Sequence, residues 1–222
     1  MNDFNFSRLA ALRYRPTLMC TLVCIMVAGS AHSARAQTET ETRPPALPQA
    51  PAGRPSPVAS DRDPEWATPM DGTFNLHRVT SQFYRSAQLN RKDVARLQAL
   101  SIKTVVSLRA FHADTELLRK SGIKTVRISI YTWDIDDRQV IDALRAIRAA
   151  EQDGAVLLHC QHGADRTGLI SAMYRMLYQG WSKERALDEL VHGGYGFHSM
   201  WKNIVRYVQQ VDLEKIRQGV ER

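Results

Sequence analysis

The stretch Val156-Leu157-Leu158-His159-Cys160-Gln161-His162-Gly163-Ala164-Asp165-Arg166-Thr167-Gly168 constrains this chain more than any other. Ala155 to Leu158 is a short, unbroken apolar run, the pattern of a strand buried on both faces. From Gly168 onward, Ile170, Met173 and Leu177 recur at helical spacing. The expected geometry is strand, tight loop, helix. In an open α/β sheet, ligands bind at the carboxyl ends of the central parallel strands. The start of the next helix adds unpaired N–H groups and a positive dipole end, which suit an anion.

If that anion is a phosphate, each loop residue has a physical task. Gly163 lets the chain turn so that main-chain amides converge. Arg166 can grip two phosphate oxygens with its planar fork. Gln161, His162, Gly163, Ala164, Asp165 and Arg166 form the expected phosphate-binding set. The same positive field favours the thiolate of Cys160, and Thr167 can give that sulfur a hydroxyl hydrogen bond. Cys160 would attack phosphorus, and water would hydrolyse the cysteinyl-phosphate that results.

The spacing His159-Cys160, five residues, Arg166-Thr167 resembles the HC-x5-R-[ST] signature of the cysteine-dependent protein tyrosine phosphatases. The resemblance covers about 150 residues, from Thr73 to the C-terminus, which is compact and points to the dual-specificity branch. It implies an α/β fold with a central, mostly parallel sheet flanked by helices. It also implies that His159 orients the thiolate from behind. Neither cofactor nor metal is expected, because loop amides and Arg166 already neutralise the phosphate. Tyr84-Arg85-Ser86-Ala87-Gln88 is similar to a stretch near the start of small dual-specificity phosphatases, where Arg85 would pack and bond near the loop. The Asp165-Arg166-Thr167 ending resembles the loop of myotubularin-type lipid phosphatases and of some secreted bacterial tyrosine phosphatases. Gly193-Gly194-Tyr195-Gly196-Phe197-His198 resembles a stretch of bacterial homologues with the same loop, and is read as a turn between helices.

Ester cleavage expels an alkoxide or phenoxide, and a nearby protonated carboxyl removes that penalty. In the family a loop about 26 residues before the cysteine delivers this acid. Here that segment is Ile130-Tyr131-Thr132-Trp133-Asp134-Ile135-Asp136-Asp137. Asp134, beside Trp133, is the first candidate, while Asp136 and Asp137 read as helix-capping residues. Asp165 is the rival, with bracing of the loop as its alternative role.

Other readings use the same residues. An inositol-phosphate or phosphoinositide phosphatase would share the loop chemistry, although the variable positions hold no Lys or Arg before Arg166. A non-catalytic phosphate-binding module would use the same cradle. A rhodanese-type sulfurtransferase also carries a loop cysteine after a strand, but lacks this spacing to an arginine. A metal site on His159, Cys160 and His162 is weaker, since zinc sites usually take four ligands.

The net charge of +7 is inflated by the N-terminus, where four arginines and one aspartate in residues 1–36 account for +3 and leave +4. That balance suits an anionic substrate. No basic stripe with interleaved aromatics argues for nucleic acid. Arg8, Arg13 and Arg15, the apolar stretch Leu18–Ala28, and Ala34-Arg35-Ala36 read as a signal peptide over residues 1–36. A periplasmic or secreted location follows, with membrane anchoring through residues 18–28 as the alternative. Loss of Cys20 and Cys24 with this segment would leave Cys160 without an internal disulfide partner. Residues 37–70 hold eight of the nine prolines and read as a disordered linker. The phosphatase domain is expected over residues 71–222, as a monomer acting on a phosphorylated protein or a small phosphoester.

Within it the pattern predicts a hairpin around Phe74–Tyr84 and a helix capped by Asn90. It then predicts strands at Lys103–Leu108 and Val126–Ile130, with a short helix His112–Lys120 between them. A helix through Val140, Leu144 and Ile147 ends before Gly154. After the cysteine loop come a helix stopped by Gly180, one capped by Ser182, and a last helix from Ile204 to Ile216.

Overall fold

The computed structural model describes residues Arg62–Arg222; the expected signal segment and most of the expected linker lie outside the described residues. Six strands form one sheet. They are β1 (Thr68–Asp71), β2 (Leu76–Arg78), β3 (Phe83–Ser86), β4 (Ile102–Ser107), β5 (Lys124–Arg127) and β6 (Ala155–His159). Their order across the sheet is β1-β2-β3-β6-β4-β5. β6 runs parallel to β3 on one side and to β4 on the other, and β5 continues the parallel half beyond β4. β1 and β2 add an antiparallel edge.

The strand that carries the cysteine is thus central, which explains its composition. Val156 and Leu158 point into one apolar core, and Leu157 points into another on the opposite face. Val106 and Val105 of β4 divide in the same way. The smaller core lies under α1 (Val94–Ala99) and α2 (Thr115–Leu118). The larger lies under α3 (Asp137–Asp153), α4 (Asp165–Gln179), α5 (Lys183–His192), α6 (Lys202–Gln210) and α7 (Leu213–Glu221). Full burial of each such aliphatic side chain contributes about 1.5–3 kcal/mol, so β6 is fixed from both sides. Among the described residues no helix is long and apolar enough to cross a membrane.

Local signals place the helix ends. Asp136 caps α3 in a reciprocal box with Gln139, as its position before the helix implied. Gly180 ends α4 in the left-handed region, and Ser182 caps α5 through the Arg185 N–H. Several boundaries differ from the sequence expectation. The first helix starts at Val94, because Asn90 and Asp93 close a turn ahead of it: the Asn90 N–H donates to Asp93 Oδ2 at 2.7 Å. The helix expected over His112–Lys120 spans only Thr115–Leu118. β5 spans Lys124–Arg127 and stops short of the expected Ile130, which is buried beyond its end. The last helix is two. Val211 is extended, and Asp212 caps a fresh helix by accepting from the Glu214 and Lys215 N–H groups. The apolar period runs through this break, so periodicity alone does not reveal it.

The linker expectation also needs correction at its end, since ordered structure begins before residue 71. Trp66 and Ala67 are buried, and β1 starts at Thr68. The Ala67 N–H donates to Glu189 Oε1 at 2.7 Å, and Arg175 donates to the Glu65 carbonyl at 3.1 Å. Arg62 reaches the Gly193 and Ala67 carbonyls and the Tyr195 hydroxyl. Composition hid this, because two prolines, Pro64 and Pro69, flank the anchoring residues. A chain starting at Gly72 is expected to be less stable than one starting at Arg62 by about 3 kcal/mol. It loses the burial of Trp66 and a donor to the buried Glu189. Urea unfolding of the two chains measures the difference, and equal midpoints would show that the segment is dispensable.

Candidate active site

The loop from Cys160 to Ala164 joins β6 to α4 at the carboxyl end of the central strand. Gly163 has φ 71°, and a Cβ there would lie 2.5–2.6 Å from the main chain of Ser86 and Ala87. Only glycine fits, and its fit lets the loop lie directly against the end of β3. The contact is reinforced by the Gln88 N–H, which donates to the Gln161 carbonyl at 3.0 Å. Among the described residues, the N–H groups of Gln161, His162, Gly163 and Ala164 donate to no protein acceptor. They stand with the first turn of α4 as a cluster of unspent main-chain donors, which is what an oxyanion needs.

Cys160 lies at the base of this loop, 1% exposed. Arg166, on the first turn of α4, is half-buried. Its Nη1 donates to the carbonyls of Leu108 at 3.3 Å and Ile130 at 3.2 Å, while its Nε is buried without a partner. The guanidinium is therefore held by the main chain just beyond β4 and β5, with donors left over for a ligand. Thr167 Oγ1 is buried without a partner, so the expected hydroxyl bond to the Cys160 sulfur is not formed in this structure.

His159 is buried beneath the loop. Its Nδ1 lies 3.0 Å from the Cys160 carbonyl and its Nε2 lies 2.8 Å from Asp114 Oδ2. Burial alone raises the Asp114 pKa, but the hydrogen bond and charge of His159, with His112, outweigh it and hold the carboxyl below its ordinary value. Asp114 escaped sequence reading because nothing local pairs it with a histidine 45 residues away.

Arg85 is the largest wholly buried side chain. Its Nη2 donates to the Gly163 carbonyl at 2.8 Å, and its guanidinium lies 3.6 Å from the Tyr195 ring centre. Burial pushes its pKa down from the arginine value, while the charges of Tyr195, Glu189 and Cys160 act in the opposite sense. The expected role in packing and bonding near the loop is what this geometry provides.

A cleft of about 400 Å³ opens over the loop. Gln161, His162, Asp165 and Arg166 line it, together with Arg109, His198 and a set of apolar side chains. Phe111, Trp133 and Met200, the large apolar residues most exposed to solvent, all stand on its rim. Tyr131 links two of them, stacked on Trp133 at 5.1 Å and tilted against Phe111 at 5.6 Å.

The two candidate acids are placed differently. Asp165 is buried in the cleft wall. Its Oδ1 accepts from the His198 N–H at 2.9 Å, and its Oδ2 lies 2.9 Å from His198 Nδ1. Asp134 is exposed, in a tight turn where its N–H donates to the Tyr131 carbonyl at 3.1 Å. It lines a shallow neighbouring hollow with Asn203, Arg206 and Tyr207, outside the cleft itself. The stretch Gly193–His198 does connect two helices, as read, but it also brings His198 to the loop. Arg109 and the aromatic rim carried no sequence motif.

Replacing Arg85 by Gln keeps a donor for the Gly163 carbonyl and removes the charge. On a phosphotyrosine peptide kcat/KM is then expected to fall about tenfold, as loss of one charge-assisted support of the loop implies. Unchanged kcat/KM with intact fold would leave Arg85 a packing residue only.

Residues 81–203 match the family described as PTP-SAK, Swiss Army Knife protein, DSP-PTPase phosphatase domain. The dual specificity protein phosphatase TpbA of Pseudomonas aeruginosa is 40% identical over 160 residues, which is 72% of this chain and 73% of that protein. A crystal structure of TpbA has a TM-score of 0.67 at 39% identity, covering 72% of this chain and 98% of that one. A variant of TpbA in complex with pTyr has a TM-score of 0.68 with the same identity and coverage. The core catalytic domain of the PP-IP phosphatase SIW14 from S. cerevisiae shares the fold, with a TM-score of 0.56 at 22% identity, covering 65% of this chain and 89% of that one. By the family matched over residues 81–203 and by identity to TpbA, the chain belongs to the DSP-PTPase phosphatase family.

Proposed function

We propose that the chain hydrolyses phosphate monoesters, phosphotyrosine foremost, through a phosphorylated Cys160. The observation that carries this is the loop whose four N–H groups have no protein acceptor, followed by Arg166 with an unpartnered Nε. The sulfur attacks phosphorus and the ester oxygen leaves with a proton from the Asp134 carboxyl. Loop amides and Arg166 hold the non-bridging oxygens throughout. Water then attacks the thiophosphate, gives up a proton to the same carboxylate, and frees phosphate and thiolate.

Asp134 takes the acid role and Asp165 the bracing role. Asp165 commits its carboxylate to His198, whereas the Asp134 side chain makes no hydrogen bond among the described residues. The turn that carries Asp134 begins with Tyr131 and Trp133 on the cleft rim, so a modest shift of that turn brings the carboxyl to the leaving group. The aromatic rim favours an aryl phosphate flanked by apolar groups. The cleft holds Arg109 and Arg166 but no lysine, which argues against inositol polyphosphates and phosphoinositides. TpbA in complex with pTyr supports the same choice.

The N-terminal pattern supports export to the periplasm or beyond, with anchoring by residues 18–28 as the other outcome, and a monomer is proposed. N-terminal sequencing of the exported protein should start after Ala36; an intact Met1 would point to the anchor.

For the chemistry, rapid quench with a phosphotyrosine peptide should trap one cysteinyl-phosphate per chain, absent in Cys160→Ser. Turnover that survives this substitution would dismiss the covalent route. Asp134→Asn should lower kcat about 100-fold on an alkyl phosphate and far less on p-nitrophenyl phosphate, whose leaving group departs unaided. If Asp165→Asn shows that contrast and Asp134→Asn does not, the two roles are exchanged.

A further inference from the structure

In the same cleft, three side chains converge with a chemistry that the proposed phosphate transfer does not use. One ring nitrogen each from His162 and His198 and one carboxylate oxygen of Asp165 lie within 4.8 Å of one another. Asp165 is buried and fixed at the start of α4, and His198 is already on it at 2.9 Å. The His162 ring lies 5.1 Å from the His198 ring, tilted by 54°, and its nitrogens make no hydrogen bond to another described residue. Two imidazoles and a carboxylate are the donors of a borderline dication such as Zn²⁺, not of Mg²⁺ or Ca²⁺.

We propose that His162, Asp165 and His198 form an inhibitory transition-metal site at the mouth of the cleft, selective for Zn²⁺-like ions. Around a tetrahedral ion with bonds of about 2.1 Å, donor atoms sit roughly 3.4 Å apart. Asp165 and His198 need to open by only a few tenths of an ångström, and the exposed His162 ring closes the remainder by rotating. The ion replaces the proton between His198 Nδ1 and Asp165, and that proton goes to solvent. The fourth position faces the cleft, where water fills it. An ion held there stands in the path a phosphate takes to the loop, so substrate and metal exclude each other. The backbone N–H of His198 still donates to Asp165, which keeps the carboxylate oriented as an outer bond does in metal sites.

The alternative ligand is the Cys160 thiolate, and the test separates the two. Calorimetric titration with Zn²⁺ is expected to give one ion per chain in the wild type and the same affinity in Cys160→Ser. His198→Ala and His162→Ala should each weaken it about 100-fold, at least as much as loss of an outer partner does. His162→Ala removes a ring that makes no hydrogen bond within the fold, so its result does not hinge on misfolding. The Co²⁺-loaded wild type should show ligand-field bands without a thiolate-to-cobalt charge-transfer band. Binding lost in Cys160→Ser, a thiolate band with Co²⁺, unchanged affinity in both histidine variants, or no saturable binding would each overturn the proposal.

Discussion

The contact on which the site depends is between one carbonyl and one buried cation. Gly163 turns through a left-handed conformation against the end of β3, and its carbonyl is taken by Arg85. With the carbonyl drawn away, the loop N–H groups are left without protein acceptors. Reversing that peptide would place a carbonyl oxygen where a phosphate oxygen must go. The glycine and the arginine are 78 residues apart, yet each is useless to the loop without the other.

Such a cation is costly to bury unless its surroundings answer its charge. Arg85 is answered by the face of Tyr195, whose hydroxyl donates to Glu189 at 2.8 Å. Glu189 in turn binds Arg175 through both oxygens, and burial, which would raise the Glu189 pKa, is overcome by that pairing. The segment Arg62–Ala67 closes the same network from outside. One chain of charges thus runs from the surface near Arg62 to the carbonyl of the catalytic loop. This gives the early segment a function that a linker would lack: it excludes water from the pairs that hold Arg85.

How much of this the sequence revealed follows from distance along the chain. β6, its loop and α4 are one continuous stretch, so apolar run, glycine and helical period sit side by side and are readable together. The same holds for Asp136 with Gln139 and for Gly180. Pairs made across the fold left no trace: Asp114 with His159, His198 with Asp165, Arg85 with Tyr195. Each residue looks ordinary where it stands; strand order brings Asp114 to His159, and the connector between α5 and α6 brings Tyr195 to Arg85 and His198 to Asp165. Asp134 shows the intermediate case. Spacing from Cys160 placed it on a loop beside the cleft, and there its N–H closes a tight turn onto Tyr131, which the sequence did not show.

The cleft mixes two chemistries, and the mixture bears on why Asp165 stands where it does. Phe111, Trp133 and Met200 bring exposed apolar surface to it, of the kind that a bound partner covers. His162, Asp165 and His198 bring polar groups to the same cleft. A carboxylate in the first turn of α4 is favoured by the helix dipole, but it also sets a negative charge beside the place where a phosphate dianion binds. Left free, that charge would oppose the substrate. The carboxylate oxygens are instead engaged by the His198 N–H and ring nitrogen, on the connector between α5 and α6. On the proposed assignment, that pairing is work for a fixed carboxylate rather than for one that must give up and take back a proton in each cycle.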